Sequence, residues 1–270
     1  MTAEDPRRTL ARHGLTPKKS FGQNFLVERA ALACITEAVG AAPGRRVVEI
    51  GAGLGALTRA LVEAGAEVIA IERDRDLAKV LREELGGRAT IVEADAKTFD
   101  YRAAAAGAVT AVAGNLPYHL TAPLLEVLAD AIDALTVVVV MVQREVADRL
   151  VARPGGREYG AASVLAQARA SVQVLRRVAP GAFHPPPRVT SAIVRMTPLA
   201  VPRIGAVPWP AVRRVVRAAF QRRRKQLRNA LGALASRDRL EEVLAAVGID
   251  GVRRPETLTV EELAAIAARL

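Results

Sequence analysis

The chain has 270 residues, 51% of them hydrophobic, and carries 39 Lys/Arg against 28 Asp/Glu for a formal net charge of +11. That length fits one large domain or a domain with a small appendix, with ample apolar material for a core. A single cysteine, Cys34, excludes an intrachain disulfide and a thiolate zinc cluster, and His13, His119 and His184 lack metal-ligand spacing, so no metal is expected.

The N-terminus has no apolar central segment, which argues against a signal peptide. The longest apolar stretch, 135–142, is too short to span a bilayer. The expectation is a soluble, cytoplasmic monomer without a membrane partner.

In chain order, a basic leader precedes Phe21–Leu26, which opens a helix running through Ile35 to Val39. Strands then alternate with helical patterns: strand 46–50, helix 57–64, strand 67–71, helix 77–85 and strand 90–93. An apolar run gives the next strand at 109–113, followed by a helix at 122–128 and a Val-rich strand at 137–142. This rhythm predicts an α/β domain, a parallel sheet with helices on both faces. Residues 172–178 and 192–196 are expected as two further strands around the Pro-rich loop 183–187, adding an antiparallel edge.

From Pro202 the pattern changes. Val212, Val215, Val216, Ala219, Phe220 and Leu227 recur at helical spacing, and further helical segments cover 240–247 and 260–270. The expected division is a catalytic domain over 1–201 and a small all-helical domain over 202–270.

Charge is distributed unevenly. Between Tyr159 and Arg237 lie 15 Lys/Arg and no Asp or Glu, leaving 24 basic residues elsewhere against all 28 acidic ones. The whole positive excess therefore sits in one contiguous segment, as expected for a partner rich in phosphate. Arg222, Arg223, Arg224, Lys225 and Arg228 are the candidate nucleic-acid-binding residues.

Three motifs fall at strand ends. Gly51, Gly53 and Gly55 follow the first strand of the alternation and open a helix, allowing a tight turn and close approach of a ligand to the backbone. Glu72 ends the second strand, where a carboxylate can bind both hydroxyls of a ribose, and Asp95 follows the third, suited to an adenine amino group. A nicotinamide enzyme could use the glycines and Glu72, but no hydride-transfer site is evident. S-adenosylmethionine, which has no pyrophosphate, suits the two acids better.

The fourth strand runs into Asn115-Leu116-Pro117-Tyr118. An amide, a rigid proline and an aromatic ring together suit a planar base with an exocyclic amino group. The Asn115 carbonyl and a backbone carbonyl at Leu116 or Pro117 would accept the amino hydrogens while Tyr118 stacks on the ring. Phe183 is a candidate for the opposite face of an extruded base.

Taken together and in order, these residues resemble the bacterial small-subunit (16S) rRNA adenine dimethyltransferases, the KsgA-type enzymes. The likeness includes KKSFGQNFL (18–26), EIGAGLGALT (49–58), Glu72, Asp95, NLPY (115–118), QREVADRLVARPG (143–155), FHPPPRVTSAIVR (183–195), RRRKQLRN (222–229) and RPETLTVEELA (254–264). Two departures are Ala52, where the family usually has proline, and a shortened Ala-rich stretch at 103–107, expected as a surface loop.

The resemblance implies a class I S-adenosylmethionine-dependent methyltransferase, Rossmann-like, with a C-terminal helical domain. It assigns cofactor contacts to Asn24, Leu26, Gly51, Glu72, Asp95 and Asn115, with Gly53 in the same loop. The implied reaction is dimethylation of two adjacent adenines near the 3′ end of small-subunit rRNA, with the immature 30S particle as partner. The nucleic acid assigned to Arg222, Arg223, Arg224, Lys225 and Arg228 is then RNA. The rival reading is a macrolide-resistance methyltransferase acting on large-subunit rRNA.

Overall fold

A computed structural model describes residues 5–221 and 225–270, and the chain divides into two compact units. The first comprises residues up to Ala147 together with Gln173–Thr197; the second comprises Asp148–Val172 and Pro198–Leu270. A single cut after residue 201 therefore misplaces 148–172. Tyr159, Val164, Leu165 and Ala168 from that segment are buried in one apolar cluster with Val212, Val215 and Leu263.

Within the strands, β1 is Phe25–Leu26, β2 Arg46–Ile50, β3 Glu67–Glu72, β4 Thr90–Glu93 and β5 Thr110–Asn115. The remainder are β6 (Val137–Gln143), β7 (Ala170–Val178), β8 (Phe183–His184) and β9 (Ser191–Pro198). Seven of them form a sheet in the order β4-β3-β2-β5-β6-β9-β7. Pairing is parallel from β4 through to β6 and antiparallel between β6 and β9.

Residues 137–142 of β6 are all buried, which explains the unbroken apolar run. A strand covered on both faces has no polar side to alternate with. The helix Arg75–Leu85 instead buries one stripe, Leu77, Ala78, Val80, Leu81 and Leu85; Asp74 caps its start and left-handed Gly86 its end.

The strand order sets the position of the site. From β2 the chain steps outward through β3 and β4 on one side, then returns to lay β5 along the other side of β2. At such a reversal a crevice opens beyond the carboxyl ends of the strands. Gly114 permits the close pairing there, because a Cβ on it would lie 2.6 Å from the Ile50 carbonyl oxygen.

Two local expectations are corrected. The helix expected to open at Phe21 begins at Arg29; Lys19–Phe21 is a 3-10 turn, and Phe25–Leu26 pairs antiparallel with Phe183–His184. That pairing spans almost 160 residues of chain, so no local periodicity announces it. Of the stretch 103–107 expected as a loop, residues 103–105 belong to a short helix, Tyr101–Ala105, anchored by buried Tyr101, whose hydroxyl donates to the Ala96 carbonyl at 2.9 Å. Helices Pro6–Arg12, Arg144–Leu150 and Ala161–Gln167 were not anticipated.

In the second unit, helix Trp209–Gln221 buries Val212, Val215, Val216 and Ala219. Helix Val260–Ala267 starts with a capping box in which Thr259 accepts from the Glu262 N–H and Glu262 accepts from the Thr259 N–H. The RPETLTVEELA segment is therefore largely a helix start. Among the described residues, no helix is long and apolar enough to cross a membrane.

Candidate active site

In the first unit, a cavity of about 370 Å³ opens at the carboxyl ends of β2, β3 and β5. Asn24, Leu26, Gly51, Gly53, Glu72, Asp95 and Asn115 all line it, as do Leu116, Pro117 and Tyr118. Their sequence positions span 95 residues, and the sheet brings them to one place.

The glycine turn forms its floor. Gly51, Gly53 and Gly55 all have positive φ, and Gly55 caps the helix Ala56–Glu63. The Gly51 N–H donates to the Ile71 carbonyl at 2.9 Å, tying the turn to β3. Ala52 donates more weakly to the same carbonyl, at 3.3 Å. Because Gly51 already serves that acceptor, a residue at 52 with or without an N–H fits the turn.

Glu72 is 7% exposed, and each of its oxygens accepts one backbone N–H: Gly53 at 2.9 Å and Asp74 at 2.8 Å. A carboxylate offers about four acceptor sites, so two remain for a ligand. Burial raises the Glu72 pKa above the usual carboxylate value, and the backbone N–H groups oppose that rise. Beneath the turn, Glu49 is 2% exposed, with Oε2 unpartnered. Burial, reinforced by the Glu72 charge, pushes its pKa up to about 7. The sequence reading missed it because an acid ahead of a glycine turn looks like any strand residue.

Asp95 is more open. Its Oδ1 accepts from the Lys97 N–H at 3.0 Å, and Arg73 and Lys97 approach its Oδ2 at 3.7 and 3.5 Å.

At the end of β5, Asn115 donates through Nδ2 to the Asn24 carbonyl at 2.9 Å. This bond orients the amide and leaves Oδ1 as its acceptor. The Leu116 N–H donates to the Met141 carbonyl at 3.0 Å, fixing the following peptide. The Pro117 carbonyl is already occupied by the Leu120 N–H at 2.9 Å and the Thr121 hydroxyl at 3.2 Å. Of the two backbone acceptors considered from sequence, Leu116 is therefore the one left available.

The Tyr118 hydroxyl bonds Ser191 Oγ at 2.7 Å, which pins the ring direction from β9. Burial raises the phenol pKa, and the Ser191 bond opposes that rise. His119 is exposed, and its ring packs against Gly22.

Phe183 is not part of this site. It is 4% exposed, pairs with Leu26 and packs into the core beside Ala182 and Ile193, outside the cavity lining.

In the second unit, Lys225 and Arg228 line a shallow depression of about 490 Å³ with Asn229, Ser236 and Arg237 and, among the described residues, no carboxylate. Arg222, Arg223 and Arg224 lie outside the described residues.

Comparison with known proteins adds three findings. The sequence pattern of the family described as ribosomal RNA adenine dimethylase matches residues 14–270. A relative from Anaeromyxobacter dehalogenans (strain 2CP-C), ribosomal RNA small subunit methyltransferase A, is 50% identical across 97% of this chain and 96% of its own length. Its namesake from Myxococcus xanthus is 42% identical across 99% and 95%.

Among solved structures, a dimethyladenosine transferase from Plasmodium falciparum superposes with a TM-score of 0.76 at 21% identity, covering 90% of this chain and 95% of that one. The 23S rRNA methyltransferase ErmE gives 0.66 at 28%, covering 92% and 99%. Both have the class I methyltransferase architecture found here.

Proposed function

The chain belongs to the ribosomal RNA adenine dimethylase family, and from that premise we propose that it dimethylates the exocyclic amino groups of two adjacent adenines near the 3′ end of small-subunit rRNA. The methyl donor is S-adenosylmethionine and the substrate is the immature 30S particle, met in the cytoplasm. The observation that carries this reading is the oriented Asn115 amide, which shares one cavity with Glu72 and the glycine turn. The names of the relatives matched at 42–50% identity support the small subunit over the large one.

The residues present fit the methyl donor. Glu72 has two acceptor sites left for ribose hydroxyls, and Asp95 retains acceptors for an adenine edge. The positive-φ glycines leave the floor open where side chains would otherwise intrude. When bound, the donor supplies an electrophilic methyl on a sulfonium.

The remaining chemistry belongs to the chain. An adenine amino group is a weak nucleophile because its lone pair is delocalised into the ring. Asn115 Oδ1 accepts one amino hydrogen and the Leu116 carbonyl the other, favouring a more pyramidal nitrogen. Tyr118, held by Ser191, supports the ring of a base taken out of its stack. Orientation of the nitrogen supplies much of the rate. No general base is required, since the amino proton becomes acidic once the nitrogen is methylated, and His119 is assigned no such role. Lys225 and Arg228, within the acid-free stretch 159–237, contribute affinity for the RNA backbone.

The test is to incubate the protein with radioactive S-adenosylmethionine and small-subunit particles from an unmethylated strain, then map the labelled base. Label on two adjacent adenines near the 3′ end is expected. Label confined to large-subunit rRNA would overturn the assignment in favour of the reading suggested by the likeness to ErmE.

A further inference from the structure

We propose that Asp74 is a positioning residue for methyl transfer, acting through the leader segment on the Asn115 amide. The proposal rests on the reading of Asn115 as the acceptor for the substrate amino group. It begins from an oddity of the leader: from Ala11 to Asn24 no residue is buried, yet residues 20–26 line the cavity. Leu15 alone in this stretch packs against the apolar cluster of Leu10, Phe25 and Leu77, and the residues around the cavity side of the leader are tied down chiefly by polar bonds.

Those bonds converge on Asp74, which is 3% exposed. Its Oδ1 accepts from Lys18 Nζ at 2.7 Å and its Oδ2 from Gln23 Nε2 at 2.8 Å. Gln23 Oε1 accepts the Lys18 N–H at 2.7 Å, closing a ring between the two leader residues and the acid. Lys18 also reaches Asp76 at 2.7 Å and lies over the Phe21 ring. The paired cation and amide hold the Asp74 carboxyl below its usual pKa despite the opposing effect of burial.

The residue after Gln23 is Asn24. Its side chain donates to the Gly22 carbonyl at 3.0 Å, and its own carbonyl accepts Asn115 Nδ2. A continuous line of bonds thus runs from Asp74 to the atom pair that fixes which end of the Asn115 amide faces the substrate. If the clamp loosens, Asn24 shifts and the amide loses the partner that orients it. Glu72 and the glycine turn keep their own backbone bonds, because the Asp74 main-chain N–H still serves Glu72.

Asp74 also caps the helix Arg75–Leu85, so the test variant is D74N, since asparagine caps as well as aspartate. The full-length variant is assayed for single-turnover methyl transfer to unmethylated small-subunit particles, for S-adenosylmethionine affinity and for thermal midpoint. Transfer should slow by about tenfold or more, since small misplacements of a reacting group are costly. Cofactor Kd should change by less than about threefold, and K18M should reproduce the defect. Because both variants cut one link, the double variant should be no slower than the slower single one.

A D74N rate within about twofold of wild type overturns the clamp. So does a loss of cofactor affinity in proportion to the loss of rate, or a multiplicative double variant. Wild-type protein that transfers no methyl group to these particles would instead bring down the functional reading, and the clamp with it.

Discussion

At the carboxyl end of the parallel sheet, acidic groups are buried, and Glu72 and Asp74 are individually held. Glu49 and Glu72 are 2% and 7% exposed, and Asp74 bonds Lys18, Gln23 and its own helix start. In the helical unit, Arg214, Arg217, Lys225 and Arg237 are exposed, in a stretch with no acidic residue. The first arrangement suits a small ligand recognised by geometry, where one misplaced atom is costly. The second suits a polyanion recognised by summed charge, where single positions matter little. Substitutions should therefore have sharp, local effects in one unit and shallow, graded effects in the other.

The largest effect is expected at Asn115. N115A removes the oriented acceptor and should lower single-turnover transfer by about 10²–10³-fold, as loss of a preorganised hydrogen-bonding group does elsewhere. RNA affinity measured by filter binding should be nearly unchanged. A near-wild-type transfer rate would remove the central element of the mechanism.

Buried Glu49 should appear in stability. Its folded pKa of about 7 exceeds the ordinary 4.5, so the native state binds that proton more tightly than the unfolded chain. Its contribution is complete below about pH 4.5 and is lost as pH rises through about 7, at most on the order of 3 kcal/mol. E49Q should flatten this fall when urea midpoints are compared across that range. An unaltered slope would mean that Glu49 ionises freely.

A smaller loss is expected where the backbone is crowded. G114A would push a Cβ against the Ile50 carbonyl, separating β2 from β5 just before Asn115. Destabilisation of about 1–3 kcal/mol by chemical denaturation is expected, with reduced transfer in the surviving folded protein.

The most graded effect belongs to the basic cluster. Changing Lys225 and Arg228 to Gln, alone or with Arg222, Arg223 and Arg224, should weaken RNA binding. It should also reduce the slope of log affinity against log salt by up to about 0.9 per lost phosphate contact. The transfer rate at saturating RNA should hold. An unchanged slope would make these ordinary solvated residues.

Much of the fold was legible locally. The strands expected at 46–50 and 90–93 coincide with β2 and β4, and the Val-rich run is β6. Burial on both faces leaves a composition that a sequence exposes directly. The two acids that line the cavity, Glu72 and Asp95, were legible too, since each stands at a strand end within an alternating pattern. Phe25–Leu26 was misread as helical because its partner is Phe183–His184, far along the chain. The same pairing took Phe183 out of the site and into the core.

What the sequence by itself determined is the succession of elements, the chemistry gathered at the strand ends and the separation of basic charge into one segment. These follow from periodicity and composition, which act over a few residues at a time. Tertiary structure alone decided that the Leu116 carbonyl is available while that of Pro117 is engaged, that residues 148–172 join the helical unit, and that Asp74 grips the leader. Each depends on a bond or packed contact that forms only once the sheet has brought distant segments together.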